Sequence, residues 1–266
     1  MADDSTTLRK GAPGAIGSYA ALGDSFTEGV GDPAPDGTFI GWADRLAALL
    51  GGRSPDGEFR YANLAVRGKL LDQIVEDQLP RAVDLAPDLV TFCAGGNDIL
   101  RPGSDPDDVA ERLEAAVARL APEVGTVLLC TGFDTRGTPV LRHLRGKIAT
   151  YTAHVRAIAD RHQCPVLDLW SLRSVQDRRA WSDDRLHLSP EGHTRVALRA
   201  AQVLGIDVPS DPDEAWPEPA VRPASEVRRE NLRWGREHLV PWIGRRLRGE
   251  SSGDHVVAKR PDLLPL

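Results

Sequence analysis

The sequence has few cysteines and no long hydrophobic run. Its three cysteines are spread over 266 residues, at Cys93, Cys130 and Cys164. An odd, widely spaced set without metal-ligand spacing favours reduced thiols over a disulfide framework. No run of ~18 apolar residues occurs, so the sequence predicts no membrane span. The polar N-terminus has no apolar stretch typical of a secretory signal, and we expect a cytoplasmic protein.

Basic residues are not in excess, and several well-known ligand motifs are missing. The formal net charge is −6, which argues against wholesale binding of nucleic acid. Neither Gly-x-x-x-x-Gly-Lys-Ser/Thr nor Gly-x-Gly-x-x-Gly is present, so a nucleotide-phosphate module is disfavoured. The Gly-x-Ser-x-Gly elbow of α/β-hydrolases is also absent, which argues against that fold family.

The pattern of apolar residues alternates between strand-like runs and amphipathic helical stretches. This alternation predicts an α/β protein with three α/β/α layers and a mostly parallel five-stranded sheet. Ligands of such sheets bind beyond the carboxyl ends of the strands. The predicted strands cover 18–22, 59–64, 89–94, 126–130 and 164–169, and the predicted helices cover 69–78, 107–120, 143–161 and a last one starting at Ser189.

Residues with nucleophilic and acid–base chemistry follow these strands. Ser25 lies where the first strand must turn sharply, and Asn97 follows the third strand after two glycines. Asp184 lies three residues before His187, so one turn can bring the carboxylate to the imidazole. A serine hydroxyl needs a base, an orienting group for that base, and donors for the oxyanion. The sequence offers a candidate for each requirement.

Four blocks of the sequence occur in the order found in a known family. They are Gly23-Asp24-Ser25-Phe26, Gly68, Gly95-Gly96-Asn97-Asp98 and Asp184-Arg185-Leu186-His187. In this order the chain resembles the SGNH (GDSL-type) hydrolases over roughly residues 16–205. Phe26 stands where the family name has leucine, an apolar position without chemistry. The second block is the weakest, because a single glycine after a strand is usually only a turn.

The resemblance implies a flavodoxin-like fold and a metal-independent serine esterase or acyl hydrolase. Ser25 would be the nucleophile, His187 the base and Asp184 the group that orients His187. The backbone N–H groups of Ser25 and Gly68 and the Asn97 amide would be the oxyanion donors. The implied substrate is a small-molecule ester, and no cofactor is implied. An O-acyltransferase or an O-acetyl-sugar deacetylase would use the same site, and the sequence does not choose among them.

Each of these residues also has a simpler explanation. Ser25 alone could cap a helix, Asn97 could merely accept a left-handed backbone, and Asp184 with His187 could be a surface pair. A zinc site from Asp183, His187 and His193 lacks the i, i+4 spacing of two imidazoles on one helical face. A non-catalytic scaffold with this fold is the remaining alternative. The intact set of four blocks favours the enzyme over all of them.

The composition changes beyond about residue 208. We expect a flexible N-terminus over 1–15, an SGNH hydrolase domain over 16–208, and a C-terminal extension over 209–266. That extension begins with an acidic, proline-rich linker and continues as a basic helical segment over 225–248, with the last 15 or so residues as a tail. Basic amphipathic segments can bind anionic membranes or acidic partners. Packing of the extension on the core or on a second subunit is the interpretation we favour.

Overall fold

The computed structural model of the protein describes residues 16–54, 57–138, 141–219, 222–241, 244 and 253–266. Its centre is a six-stranded sheet in the order β5-β4-β3-β1-β2-β6. Neighbouring strands are parallel except for β6, which is antiparallel to β2. The strands are β1 (Ser18–Gly23), β2 (Arg60–Asn63), β3 (Leu89–Cys93), β4 (Thr126–Cys130), β5 (Val166–Leu167) and β6 (Arg260–Pro265).

Helices connect the parallel strands and cover both faces of the sheet. The alternation read from the sequence is therefore confirmed as a three-layer α/β/α fold. The α-helices among the described residues are α1 (Ser25–Glu28), α2 (Trp42–Gly51), α3 (Leu71–Asp77), α4 (Leu79–Leu85), α5 (Gly96–Ile99), α6 (Pro106–Leu120), α7 (Arg145–Arg161), α8 (Pro190–Val203) and α9 (Ala224–Trp234).

Successive residues of β1 point to opposite faces of the sheet, and both faces are buried. Ala20 and Leu22 belong to one hydrophobic cluster, which includes residues of α6 and α7. Tyr19 and Ala21 belong to a second cluster, formed with residues of α2 and α8. A strand buried on both faces carries apolar residues at every position, and β1 reads as such a run for this reason.

The sixth strand is the main departure from the expected sheet, which had five strands. β6 pairs with β2 at one edge, and the Arg260 guanidinium donates a 2.8 Å hydrogen bond to the Tyr61 carbonyl. The prediction of a tail for the last residues is wrong over this range. Pro261 and Pro265 are typical strand breakers, so the composition of this segment does not indicate a strand. An edge strand tolerates proline, because only one side of it needs ladder donors.

The proline-rich segment after α8 packs on the core. The indole nitrogen of Trp216 donates a 2.8 Å hydrogen bond to the Ser174 carbonyl. The guanidinium groups of Arg179 and Arg195 lie 5.0 Å and 4.2 Å from the centroids of the Trp216 rings. These contacts attach the segment to the loop before α8 and to α8 itself.

Further along the chain, α9 continues into a π-helical turn over Gly235–Leu239. Leu232 and Val240 keep 60% and 64% of their surface exposed, so they do not pack on the described core. No helix of the described residues is long and apolar enough to cross a bilayer. The flexible segment predicted for 1–15 lies outside the described residues, as do residues 242–243 and 245–252 of the predicted extension.

Candidate active site

Ser25 lies in the first turn of α1, directly after β1. The helix is capped by Asp24, whose side chain accepts a 3.0 Å hydrogen bond from the Phe26 backbone N–H. Ser25 is therefore the first helical residue and not the cap. The N–H groups of a first turn have no acceptor within the helix, so the Ser25 N–H is available to a ligand at this edge.

The loop before α8 carries Asp184 and His187 to Ser25. His187 Nε2 lies 3.0 Å from Ser25 Oγ, and His187 Nδ1 lies 2.6 Å from Asp184 Oδ2. The other carboxylate oxygen of Asp184 accepts hydrogen bonds from the Leu186 and His187 backbone N–H groups, at 2.9 Å and 3.0 Å, and from Ser182 Oγ at 2.7 Å. Both oxygens of Asp184 are thus fixed by the turn that it begins.

The charge on Asp184 determines how His187 is protonated. Burial alone would raise the pKa of the Asp184 carboxyl, but His187 and the two backbone N–H donors outweigh burial and lower that pKa. An ionised carboxylate only accepts hydrogen bonds, so the neutral imidazole carries its proton on Nδ1. Nε2 then carries a lone pair that faces the Ser25 hydroxyl, as a general base requires.

Asn97 reaches the same edge from the start of α5. Its Nδ2 donates to Asp24 Oδ2 at 2.9 Å and to the Lys69 carbonyl at 3.0 Å. Asn97 therefore joins the residue before Ser25 to the residue after Gly68. If the Asn97 amide donates a hydrogen bond to a substrate oxygen, that hydrogen must be shared with Asp24 Oδ2 or with the Lys69 carbonyl.

Asp24 is the unusual titratable group of this site. Burial raises the pKa of its carboxyl from 3.8 to about 6, against the opposing effects of the Phe26 N–H bond and of His187. Its exposed fraction is only 8%. The carboxylate form is the one that accepts from both Phe26 and Asn97, so these two bonds offset part of the cost of burying the charge.

Gly68 lies in the loop between β2 and α3, with a φ of +77°. This left-handed conformation favours glycine, because a Cβ would be strained there. The preceding residue is held by α1: Glu28 Oε2 accepts from the Arg67 backbone N–H at 2.7 Å, and Glu28 Oε1 accepts from Arg67 Nε at 3.0 Å. The helix that carries Ser25 thus also holds the loop that carries Gly68.

Three aromatic side chains stand beside these polar groups. Phe26 packs edge-on against Phe133, with centroids 5.1 Å apart, and Phe133 packs edge-on against Trp181 at 5.0 Å. We call Phe26, Phe133 and Trp181 the aromatic cluster. All three side chains are partly exposed, whereas Trp42, whose ring centroid lies 5.8 Å from that of Phe26, is fully buried in the core.

The remaining histidine near the site has a structural role. His193 is fully buried on α8, and its Nδ1 accepts a 3.1 Å hydrogen bond from the Trp42 backbone N–H. Burial lowers the pKa of His193 to about 3. Within the part of the chain that the structure describes, no group of three or more His, Cys, Asp or Glu side chains is placed to hold a metal ion.

The structure brings together every site residue named from the sequence: Ser25, Asp184 and His187 in one chain of contacts, with Asn97 and the Gly68 loop beside them. The sequence reasoning missed Asp24, Glu28 and Arg67, which hold these groups in place. The short segment Asp24-Ser25-Phe26-Thr27-Glu28 is mostly polar, so its sequence does not show that the two acids are buried. Arg67 carried no signal of its own.

The three-layer fold with its mostly parallel sheet is that of an SGNH-type carboxylic ester hydrolase. Comparison with family models points the same way. Residues 21–195 match the GDSL-like Lipase/Acylhydrolase family, and the chain belongs to that family. A comparison with curated proteins finds no match.

Solved structures share the fold. One is LAE5, an alpha/beta hydrolase enzyme from the metagenome of Lake Arreo, Spain, with 24% identity and a TM-score of 0.61 over 71% of this chain and 95% of that one. Another is Axe2, an acetylxylan esterase from Geobacillus stearothermophilus, with 21% identity and a TM-score of 0.60 over 71% of this chain and 94% of that one. At these identities the likeness shows the fold alone.

Proposed function

We propose that this ester hydrolase works through an acyl-enzyme intermediate on Ser25. His187 Nε2 takes the Ser25 proton as Oγ attacks the ester carbon, and later gives it to the leaving alcohol. Asp184 holds the imidazole in the tautomer that makes Nε2 the base. Water, activated by His187 in turn, then releases the acid and restores Ser25. The single observation that carries the proposal is the 3.0 Å contact of Ser25 Oγ with His187 Nε2.

The oxyanion of the tetrahedral intermediate would be bound by the N–H groups of Ser25 and Gly68 and by the Asn97 amide. Support comes from the way these three are tied together, since Asn97 bonds to Asp24 on one side and to Lys69 on the other. Donors that are fixed before the reaction stabilise developing charge without reorganisation. The donation by Asn97 would replace or share its bond to the Lys69 carbonyl.

The acyl group would lie against the aromatic cluster. Phe26 follows the nucleophile directly, and Trp181 precedes His187 by six residues, so the cluster borders both ends of the proposed triad.

Mutants of Axe2 described as catalytic alter a serine, an aspartate and a histidine, and that aspartate lies three positions before that histidine. Asp184 and His187 have the same spacing, which supports their proposed roles. Because this neighbour is described as an acetylxylan esterase, an O-acetyl-sugar deacetylase is the second candidate.

The organisation of the chain and its compartment belong to the same proposal. We place the hydrolase domain at 16–208 and treat 209–266 as an extension of it. The three cysteines are free thiols in the structure, which agrees with a cytoplasmic enzyme. The extension lies beyond residues 21–195, the range that matches the family.

The test is hydrolysis of p-nitrophenyl esters, from acetate to long chains, and of acetylated xylooligosaccharides by the wild type, Ser25→Ala and Ser171→Ala. Ser171 is an exposed serine whose side chain bonds to the Asp168 carbonyl and not to the proposed triad, and it serves as a matched control. We expect Ser25→Ala to lose at least ~10³-fold in kcat and Ser171→Ala to retain activity. Unchanged turnover by Ser25→Ala would overturn the serine mechanism.

The substrate arms of the same experiment decide between hydrolysis and transfer. The chain-length profile gives the size of the acyl site, and preference for the acetylated sugar would favour deacetylation. Added 1-propanol gives a new ester only if an alcohol competes with water for the acyl group. Formation of that ester as the main product in dilute alcohol would replace hydrolysis by acyl transfer as the proposed reaction.

A further inference from the structure

The turn that carries Asp184 and His187 contains a backbone conformation that a side chain disfavours. Arg185, between them, has a φ of +57°. Residues other than glycine rarely adopt this left-handed conformation, and such residues persist where surrounding contacts over-determine them. Within the turn itself, the Arg185 N–H bonds to the Ser182 carbonyl at 3.0 Å, and the Ser182 N–H bonds to the His187 carbonyl at 2.8 Å.

The Arg185 side chain leaves the turn toward α9, which holds it from three sides. Its Nη1 donates a 2.7 Å hydrogen bond to Asn231 Oδ1, and its Nη2 lies 3.4 Å from Glu230 Oε1. Its guanidinium carbon lies 4.8 Å from the centroid of the Trp234 ring. Only 18% of the side chain is exposed. A guanidinium buried to this degree needs such partners, because its desolvation is costly.

α9 also contacts the backbone of the acid itself. Trp234 Nε1 donates a 2.9 Å hydrogen bond to the Asp184 carbonyl. This carbonyl belongs to the peptide bond between Asp184 and Arg185, so the helix fixes the plane of that peptide as well as the side chain that follows it. Both bonds hold the segment from which the Asp184 carboxylate reaches His187 Nδ1.

We propose that α9 is a positioning element of the active site, and that Trp234 and Arg185 are positioning residues for the Asp184–His187 pair. The inference rests on the serine mechanism proposed above. α9 belongs to the extension and lies beyond the matched family region, yet it bonds to Asp184 and to Arg185, the residue with the left-handed backbone. Without it, the turn would lose the contacts that oppose its backbone strain, and the carboxylate would sample other orientations.

The expected cost follows from what Asp184 does. An orienting carboxylate that moves by about 1 Å can reduce the rate by up to ~10²-fold without changing how substrate binds. Loss of the Trp234 bond is therefore expected to lower kcat and leave KM nearly unchanged. A residue that only stabilised the fold would lower the melting temperature and leave both constants of the folded enzyme as they were.

The chain offers a matched control for Trp234. Trp216 has the same kind of contacts, with an indole N–H bond of 2.8 Å to the Ser174 carbonyl and guanidinium groups over its ring, but it contacts neither Asp184 nor His187. Replacement by phenylalanine removes the N–H donor and keeps an aromatic ring at both positions. Trp234→Phe and Trp216→Phe should therefore show similar shifts in melting temperature and different kinetics.

The experiment measures kcat and KM of both variants, of Asn231→Ala and of the wild type with a p-nitrophenyl ester that the wild type hydrolyses. We expect Trp234→Phe to lose between about 5- and 50-fold in kcat, Asn231→Ala to lose less, and Trp216→Phe to stay within about twofold. Equal kcat values for the two tryptophan variants would overturn the proposal.

A second readout needs no substrate. The proton shared by His187 Nδ1 and Asp184 gives a low-field proton NMR signal, which a His187→Ala spectrum identifies by its loss. Trp234→Phe should shift or broaden this signal, and Trp216→Phe should leave it unchanged. If Ser25→Ala keeps the activity, the serine mechanism fails, but the NMR comparison still decides whether α9 positions the pair. If the wild type, Trp234→Phe and Trp216→Phe give the same signal while Ser25→Ala is inactive, only the inference about α9 fails.

Discussion

The Asn97 amide donates a 2.9 Å hydrogen bond to the carboxylate of Asp24, the residue immediately before Ser25. A group at the end of β3 is thereby joined to the cap of the helix that follows β1. The bond requires a carboxylate at a position that is nearly inaccessible to water. The energetic cost of that charge makes the site sensitive to pH.

Asp24→Asn should change how stability depends on pH. The pKa of Asp24 is about 6 in the folded protein and 3.8 for an ordinary aspartate. In the pH range between these two pKa values, the folded state therefore keeps a proton on Asp24 that the unfolded state has lost. Stability contributed by this group therefore falls as pH rises from about 4 to 6 and is level above that. The whole effect is on the order of 3 kcal/mol, from about two pH units.

The measurement is urea unfolding of the wild type and Asp24→Asn at several pH values from 4 to 8. The wild type's free energy of unfolding should drop relative to the variant across this window, since the amide does not titrate. Comparison of the two proteins cancels the other titrating groups. A difference that stays constant with pH would show that Asp24 does not carry the raised pKa.

Asn97→Ala should lower kcat by about 10²- to 10³-fold, the usual cost of losing one oxyanion donor. KM should change little, because the proposed bond forms mainly with the charged intermediate. Steady-state kinetics with a p-nitrophenyl ester measures both constants, and thermal unfolding checks that the variant is folded. A folded variant with a kcat close to that of the wild type would remove Asn97 from the proposed oxyanion site.

Gly31→Ala should disturb the contact between the loop after α1 and the loop that carries His187. A Cβ on Gly31 would lie 2.1 Å from the Leu188 carbonyl oxygen, and the φ of Gly31 is +106°. We expect a loss of more than about 2 kcal/mol in stability, from backbone strain and displacement of the Leu188 backbone. The activity should fall as well, because Leu188 follows His187.

Gly37→Ala is the control for this substitution. Gly37 lies in the same loop and also has a positive φ, of +84°, but its Cβ would meet no atom within 4 Å. It should cost only the backbone strain of about 1 kcal/mol and leave kcat unchanged. Thermal unfolding and kinetics of both variants provide the comparison, and equal effects would mean that strain alone, and not the Leu188 contact, matters at Gly31.

Lys259→Met should destabilise the protein by about 1–3 kcal/mol. Lys259 Nζ, just before β6, donates to the carbonyls of Glu28 and Phe39 and to Asp44 Oδ2, at 2.6–2.7 Å. Methionine keeps the apolar stem and removes the lysine donor from all three acceptors, of which Asp44 Oδ2 keeps the Gly41 N–H as a second donor. Urea unfolding should show the loss directly.

The comparison for Lys259 is Arg81→Met. Arg81 also bonds to this part of the chain, at Asp262, but both side chains are about half exposed. Exposed pairs contribute less than about 1 kcal/mol. If Arg81→Met costs as much as Lys259→Met, burial of the lysine does not determine its contribution.

The strand and helix pattern of the parallel sheet was predictable because β1, β3, β4 and β5 are short, mostly apolar and followed by a turn. The strand predicted over 126–130 coincides with β4, and the Ser189 cap with Pro190 marks the start of α8 as expected. The residues within each of these segments determine its secondary structure. The parallel strands then bring the carboxyl ends of β1 and β3 to the same edge of the sheet. For this reason it was predictable that Ser25 and Asn97 lie at one edge.

The contacts made by distant segments were not predictable in the same way. Arg185 lies inside a recognised block, but nothing in its neighbours shows that its partner is Asn231, 46 positions away. β6 has two prolines among its six residues, so its sequence does not resemble a strand. Both depend on which surfaces the folded core leaves open, and that information is not local to either segment.

The pairing of β6 with β2 also bears on how the chain is made. The Arg260–Tyr61 bond joins residues 199 positions apart. On a ribosome all five parallel strands emerge before β6, which begins 93 positions after the end of β5, so the β2 edge of the new sheet stays open while this stretch is translated and released from the tunnel. An unpaired edge invites strands from neighbouring chains. Nascent chains on crowded polysomes are therefore most exposed to misassembly during this interval, and a chaperone that covers β2 would protect them.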